Sequence, residues 1–424
     1  VYYSASDLKA AVECEWALMR KLDAKLERIP MVEDAADAML ERASLLGGEH
    51  EARALGRFHE RFPETVVEIE TEDDRGDPEV LRAAQERTLE ALWAGNDVVF
   101  QATFIDESEN SSTGFVGFAD FLVKVGLDTP GSAGHSTRGF AYQVWDTKLA
   151  RKARVTALLQ LAAYADQLRK HGIRVADEAY LLLGNGEESK HQLADIEPVF
   201  HDRVARLKQM IDARLADDAP IAWGAPGYTA CGRCEWCTPE VERTRDVLLV
   251  AGMRTTQRSR LAEVGIHTID DLAASDGKVE GVGDAALAKL RAQARMQLTP
   301  HAEGEVKWEL ASAGALAQLP VPDAGDIFFD FEGDPLWTEN GLDWGLDYLW
   351  GLVTLEPAAP GFDTRPPEAG ATQPAGGREV FTAFWAHDRA EEKKALEDFL
   401  AFVQERRKRH PGLHIYHYAD YERA

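Results

Sequence analysis

Two acids and a lysine carry the strongest chemical signal in this sequence. Asp120 closes Gly117-Phe118-Ala119-Asp120, and Asp146 and Lys148 flank Thr147 in Gln143-Val144-Trp145-Asp146-Thr147-Lys148. Side chains alternate along a strand, so Asp146 and Lys148, two apart, point to one face. A carboxylate pair beside a lysine suits phosphodiester hydrolysis. The acids hold Mg2+ or Mn2+, and the lysine stabilises the attacking water or the negative charge that develops on the phosphate. Gln160 and Tyr164 follow four apart on an expected helix and so share a face. Taken singly these are weak signals: an Asp-x-Lys at a strand end is usually a solvated ion pair, and a lone His59 is an ordinary histidine. The information lies in the ordered set.

The cysteines form a second constellation. Cys14 stands alone, and Cys231, Cys234 and Cys237 follow as Cys-x2-Cys-x2-Cys. In a reducing compartment clustered thiols ligate metal more often than they pair. Four thiolates hold a [4Fe-4S] cubane or a tetrahedral Zn2+. The tight triplet wraps three corners of a cubane, whereas zinc more often takes two separated pairs. A further pair of acids, Asp330 and Glu332, brackets Phe331 and shares one face of an expected strand.

The elements that must position these groups are legible in outline. Ser4-x-x-Asp7 reads as a capping box, and Leu8, Val12, Trp16, Met19, Leu22 and Leu26 recur at helical spacing. A second helix is expected over 39–62, carrying Gly56-Arg57-Phe58-His59. Strands are expected at 65–69, 97–104, 114–125 and 140–147, with polar Gly-rich turns at 107–113 and 128–139. A helix over 156–170 and a strand over 178–183 complete a mixed α/β domain of residues 1–240. Residues 241–300 change character: Gly281-Val282-Gly283 leads into a helix from Ala285, the shape of a helix-hairpin-helix or of a helical spacer. Residues 301–424 predict another α/β domain. It has strands from Asp326 and over 348–355, a Pro/Gly-rich loop at 357–377, a helix over 390–407 and a strand at 414–418. Such a domain ordinarily needs more than about 100 residues, which predicts truncation at Ala424.

Composition narrows the function classes. The chain has 424 residues, 45% hydrophobic and 28% charged, the balance of a globular protein. A net charge of −26 excludes a general basic coat for nucleic acid but not a local one, and Lys148, Arg151, Lys152 and Arg154 cluster beside the acid pair. No apolar run reaches the roughly 18 residues that span a bilayer and no signal peptide opens the sequence, so no membrane partner and a cytoplasmic location are expected.

On these motifs residues 1–240 resemble the RecB-like branch of the PD-(D/E)xK nucleases, which includes the AddB nuclease domain and the CRISPR-associated iron–sulfur exonucleases. The resemblance implies a restriction-endonuclease-like core. Asp120 matches the first strand acid, Asp146 and Lys148 the (D/E)xK pair, and Gln160 and Tyr164 the Q-x-x-x-Y motif. It implies a metal held by His59, Asp120, Asp146 and the carbonyl of Thr147, with Lys148 at the scissile phosphate and Gln160 and Tyr164 placing the strand. One cysteine before and three after these motifs imply a structural [4Fe-4S] cluster on Cys14, Cys231, Cys234 and Cys237, with Zn2+ as the alternative. Here the second acid is Asp rather than the commoner Glu, and Ala119 stands where some relatives have proline. Residues 301–424 resemble an RNase H-like domain of the DEDD type, with Asp330 and Glu332 as its first motif and Glu422, in His417-Tyr418-Ala419-Asp420-Tyr421-Glu422, as the next acid. The order nuclease, helical hairpin, RNase H-like domain is similar to predicted RecB-like nucleases whose longer members carry a superfamily 1 helicase. The implied function is a Mg2+- or Mn2+-dependent deoxyribonuclease acting on single-stranded DNA ends in repair or processing. The alternative is a non-catalytic nucleic-acid-binding scaffold of a helicase–nuclease protein.

Overall fold

A cysteine breaks what periodicity alone suggests is one long first helix. In the computed structural model, which describes residues 1–32, 37–70, 76–107, 113–126, 139–300, 308–310, 313–357 and 377–418, Cys14 is extended, with φ −163° and ψ 98°. It ends α1 (Ala5–Glu13) and caps α2 (Glu15–Lys25), its Sγ accepting the Ala17 N–H at 3.4 Å. The capping box at the start of α1 is present: Ser4 Oγ accepts from Asp7 N at 3.2 Å, and Asp7 Oδ2 accepts from Ser4 N at 2.8 Å. A short strand, β1 (Tyr2–Tyr3), precedes it.

Next come α3 (Ala38–Arg61), β2 (Val66–Glu68) and α4 (Pro78–Ala94). Helix α4 escaped the sequence reading although its punctuation is present: Asp77 caps it, Pro78 opens it, and Gly95 closes it at φ 76°. Strands β3 (Val98–Asp106), β4 (Gly114–Gly126) and β5 (Phe140–Lys148) lead to α5 (Val155–Lys170), β6 (Glu178–Leu183), β7 (Glu188–Gln192) and α6 (Leu193–Leu215). The sheet runs β2-β3-β4-β5-β6-β7, with β1 beside β4. Strands β3, β4 and β5 are antiparallel, and β5 and β6 are parallel across the α5 connection.

Both faces of this sheet are covered. On one, Leu8, Trp16, Leu92, Leu161 and Leu168 from the helices pack against Val99, Leu122 and Val144. On the other, Ala54 and Phe58 of α3 meet Val98, Phe121, Trp145 and Leu182. At about 25 cal/mol per Å2, such burial is the main force holding the layers together.

The chain divides into two compact units, Val1–Trp308 and Glu309–Ala424. Within the first, α7 (Cys237–Thr244), α8 (Thr255–Glu263), α9 (Ile269–Ala274) and α10 (Asp284–Leu298) follow. The last three surround a small core of their own that includes Leu261, Leu272, Val282 and Leu290. Gly281 is left-handed, at φ 78°, and Gly283 caps α10, so the expected Gly-x-Gly turn does lead into a helix.

The second unit holds a short α11 (Ala313–Leu316), β8 (Ile327–Thr338), β9 (Trp344–Pro357), β10 (Gly377–Trp385), α12 (Arg389–Arg409) and β11 (Ile415–Tyr416). Its sheet runs β10-β9-β8-β11, antiparallel except for the parallel pair β8 and β11. Phe399 of α12 packs on Ile327, Phe329 and Leu352. Arg406, first in a basic run that suggests a phosphate contact or a helix-end preference, is 2% exposed. It donates to the carbonyls of Gly325 and Ala324 and pairs with Glu356, so its role is structural. The turns expected at 107–113 and 128–139, the loop at 357–377, and Asp420 and Glu422 lie largely or wholly outside the described residues.

Candidate active site and thiol centre

Strands β3 and β4 change faces together at Asp120. Before Gln101, Val98 packs towards α3 and Val99 towards the opposite layer; beyond it Ala102 and Phe104 both face that opposite layer, which strict alternation forbids. Strand β4 makes the same switch, with Phe115 and Ala119 on one side and Phe121 and Val123 on the other. The pairing register is unchanged across the switch, Phe100 opposite Phe121 and Ala102 opposite Ala119, which sets Gln101 across from Asp120. The inversion is made by Gln101, whose backbone is left-handed at φ 53°. A non-glycine residue held there costs about 1–3 kcal/mol.

Asp120 is half-buried, and its Oδ2 accepts from the Thr147 N–H at 2.8 Å and the Thr147 hydroxyl at 2.7 Å. Asp146 is 1% exposed, and neither of its oxygens receives a hydrogen bond from the described residues. Its ion-pair partner is Lys148, which also donates to the Thr147 carbonyl at 3.1 Å. Burial pushes the Asp146 carboxyl up to about 8, Asp120 adds to the rise and Lys148 opposes it. A buried carboxylate set beside another acid, with the Lys148 ammonium as its counter-charge, forms a hard oxygen donor set, so these residues fit Mg2+ or Mn2+.

Of the two histidines on α3, His50 is the one that feels the charge of Asp120. His59 Nε2 lies 2.9 Å from Glu68 Oε1, in an exposed pair at the start of the sheet edge. Nine residues are two and a half helical turns, so His50 and His59 leave α3 on opposite sides. His50 is 2% exposed and its Nε2 lies 3.0 Å from the Leu182 carbonyl, which fixes Nε2 as the donor and leaves Nδ1 with its lone pair. Burial holds the imidazole below its ordinary pKa, Arg53 and Arg57 add to that, and Asp120 opposes it. A neutral imidazole whose second nitrogen donates to a carbonyl has the form of a metal ligand. His50, Ala54 and Phe58 lie at i, i+4 and i+8 on the buried stripe of α3, a signal present in the sequence.

Gln160 and Tyr164 do share a face of α5. The Tyr164 phenol is 3% exposed, within hydrogen-bond reach of Gln160 and of the Phe118 backbone. Burial raises its pKa, and the charges of Asp146 and Asp120 raise it further. Its ring packs over Gly117, where a Cβ would come within 2.9 Å of it. The loop from β5 to α5 carries exposed Arg151, Lys152 and Arg154 and is tied to β6 by Gly184 N donating to Ala150 O at 3.2 Å.

The four thiols are the tightest donor group among the described residues, all Sγ atoms lying within 4.8 Å of one another. The donors of the acid centre are spread more widely. Cys14 and Cys237 are 3.6 Å apart, and Cys231 and Cys237 3.9 Å. Hydrogen bonds from Cys234 and Cys237, with the Cys231 and Ala17 N–H groups, hold the Cys14 thiol well below its usual pKa. Thiolates around one tetrahedral ion, at about 2.3 Å each, stand about 3.8 Å apart. The site can hold a metal.

In the second unit Asp330 and Glu332 lie exposed on the face of β8 away from α12, beside a cavity of about 470 Å3 also lined by Phe328, Phe381 and Tyr416. The third expected acid, Glu422, is outside the described residues. Among these residues no helix is long and apolar enough to cross a membrane. No family model matches the chain, and a search of curated proteins returns no match.

Proposed function

We propose that the first unit is a metal-dependent nuclease of the RecB-like kind that hydrolyses DNA phosphodiester bonds, with single-stranded ends as its substrate. The observation that carries this reading is Asp146: a buried carboxylate paired with Lys148 and set beside Asp120. A Mg2+ or Mn2+ held by these residues would polarise a phosphate oxygen and ease loss of the attacking water's proton to solvent. Asp120, with Oδ2 taken by Thr147, keeps Oδ1 for the cation, Asp146 supplies the second carboxylate, and His50 Nδ1 a nitrogen. Water attacks phosphorus as the bond to the leaving sugar oxygen breaks. Lys148 is placed to meet the charge that gathers on the phosphate. Arg151, Lys152 and Arg154 guide the strand, a local attraction on a chain of net charge −26.

The test is a Mn2+-dependent digest of end-labelled single-stranded DNA. Asp146→Ala and Lys148→Ala are each expected to lose at least about 100-fold in rate with DNA affinity nearly kept. His50→Ala is expected to follow them, while His59→Ala stays within about threefold of the parent. Undiminished cleavage by Lys148→Ala would remove the nuclease reading of this site.

The sulfur spacing favours a single tetrahedral ion, Zn2+, over the cubane implied by the resemblance. Its role is structural. Anaerobically purified protein is expected to be colourless with one zinc per chain, and Cys14→Ser to lose the zinc and at least about 5 °C of melting temperature. Brown protein with four irons per chain would restore the cubane. In the second unit, the strand order and the parallel pair β8 and β11 support the RNase H-like reading.

A further inference from the structure

We propose that Gln101 is a positioning residue for the acid centre: it spans β3 and α3 and holds the turn of α3 that carries His50. This rests on the metal-site reading above. Three observations converge on it. Gln101 is the position directly across the ladder from Asp120, where both strands invert their faces. Its backbone is left-handed in the middle of a strand, whereas the other non-glycine residues with positive φ among the described ones, Glu27 and Arg245, follow helix ends. And its side-chain amide, turned off the strand by that conformation, donates to the carboxylate of Glu51, the neighbour of His50.

The local structure serves the inversion. The Gln101 carbonyl accepts from the Thr103 hydroxyl at 3.3 Å, and the Thr103 N–H is taken by Thr88 of α4 at 3.0 Å. A glycine at 101 would allow the same backbone without strain. The amide is what glycine would lack, and the amide is what reaches α3. Strain kept at a site where an easier residue exists points to the side chain as the reason for it. The Gln101–Glu51 bond fixes one side of the helical turn, and the His50–Leu182 bond fixes the other. Groups that orient a ligand in this way typically govern metal affinity by 10–100-fold.

The experiment uses the full chain without DNA, measuring Mn2+ affinity by calorimetry and melting temperature in the absence of Mn2+. Gln101→Gly is expected to weaken Mn2+ binding about tenfold while the melting temperature stays within about 3 °C of the parent or rises. Gln101→Glu, which sets two carboxylates against each other, weakens it too. Combining Gln101→Glu with Glu51→Gln rebuilds an amide–carboxylate pair with the partners exchanged and is expected to restore affinity to within about threefold. Unchanged Mn2+ affinity in Gln101→Gly, a loss of melting temperature without a loss of affinity, or failure of the exchange to restore binding would each overturn the proposal. A parent that binds Mn2+ no better than Asp146→Ala would instead overturn the metal-site reading, and the proposal with it.

Discussion

Asp146 binds its proton more tightly in the folded chain than in the unfolded one, because burial and Asp120 disfavour its charge. Between its ordinary 3.8 and about 8 the folded protein keeps a proton that the unfolded chain has lost. Metal-free stability therefore falls as pH rises through that window. Asp146→Asn removes this contribution. Urea unfolding of metal-free protein at pH 5 and pH 8 is expected to show a smaller loss in the variant, which should be more stable than the parent at pH 8 by about 1–3 kcal/mol. Equal pH dependence in the two proteins would place the proton elsewhere. The acid and lysine were legible at this scale because their spacing on strands is itself the signal. The choice between His50 and His59 was not legible at this scale, because the two lie nine residues apart on one helix. The buried stripe His50, Ala54, Phe58 separates them. Gln101 left a fainter trace, an amide inside the apolar run from Val98 to Phe104.

Elements place these residues through close backbone contacts that substitution would disturb. Gly184, just after β6, is the clearest case. A Cβ there would come within 2.1 Å of the Leu149 carbonyl oxygen and 2.8 Å of its carbon, atoms that cannot turn aside as a flexible side chain would. Gly184→Ala is expected to push the basic β5–α5 loop off β6, costing about 1–3 kcal/mol and at least about tenfold in kcat/KM on single-stranded DNA. Melting and steady-state digestion measure the two effects, and a variant matching the parent in both would show that the loop needs no such contact. Strands β2 to β6 were readable to within a few residues because their apolar runs are bounded by turn residues, whereas β1 and the polar β7, Glu188-Ser189-Lys190-His191-Gln192, gave no such signal. The inversion at Gln101 and Asp120 was not, since alternation assumes a strand that never turns over, and the left-handed residue that breaks it is fixed by a partner fifty positions away. Helix α4 was missed although its signals were present, and the split between α1 and α2 was hidden because both keep one apolar periodicity across Cys14.

Across the whole molecule, contacts distant in sequence tie the start of the first unit to the segment around the cysteine triplet. Asp23, wholly buried, accepts from Arg28, Arg214 and the Ile221 N–H, while Glu15 takes Arg206 and the Thr229 N–H. Trp16 donates to the Ala222 carbonyl at 2.9 Å and meets Trp223 edge to face. The thiol centre joins the same two segments, with Cys14 and Cys237 lying 223 residues apart. On a ribosome adding about 5–20 residues per second, α1 and α2 emerge about 10–45 s before the last thiol that completes their site. During that interval the early helices have neither the other three thiols nor the Arg214 and Ile221 partners of Asp23. The first unit therefore closes late, and a nascent chain stalled before residue 237 would expose Trp16 and a free Cys14 to whatever chaperone or oxidant is at hand.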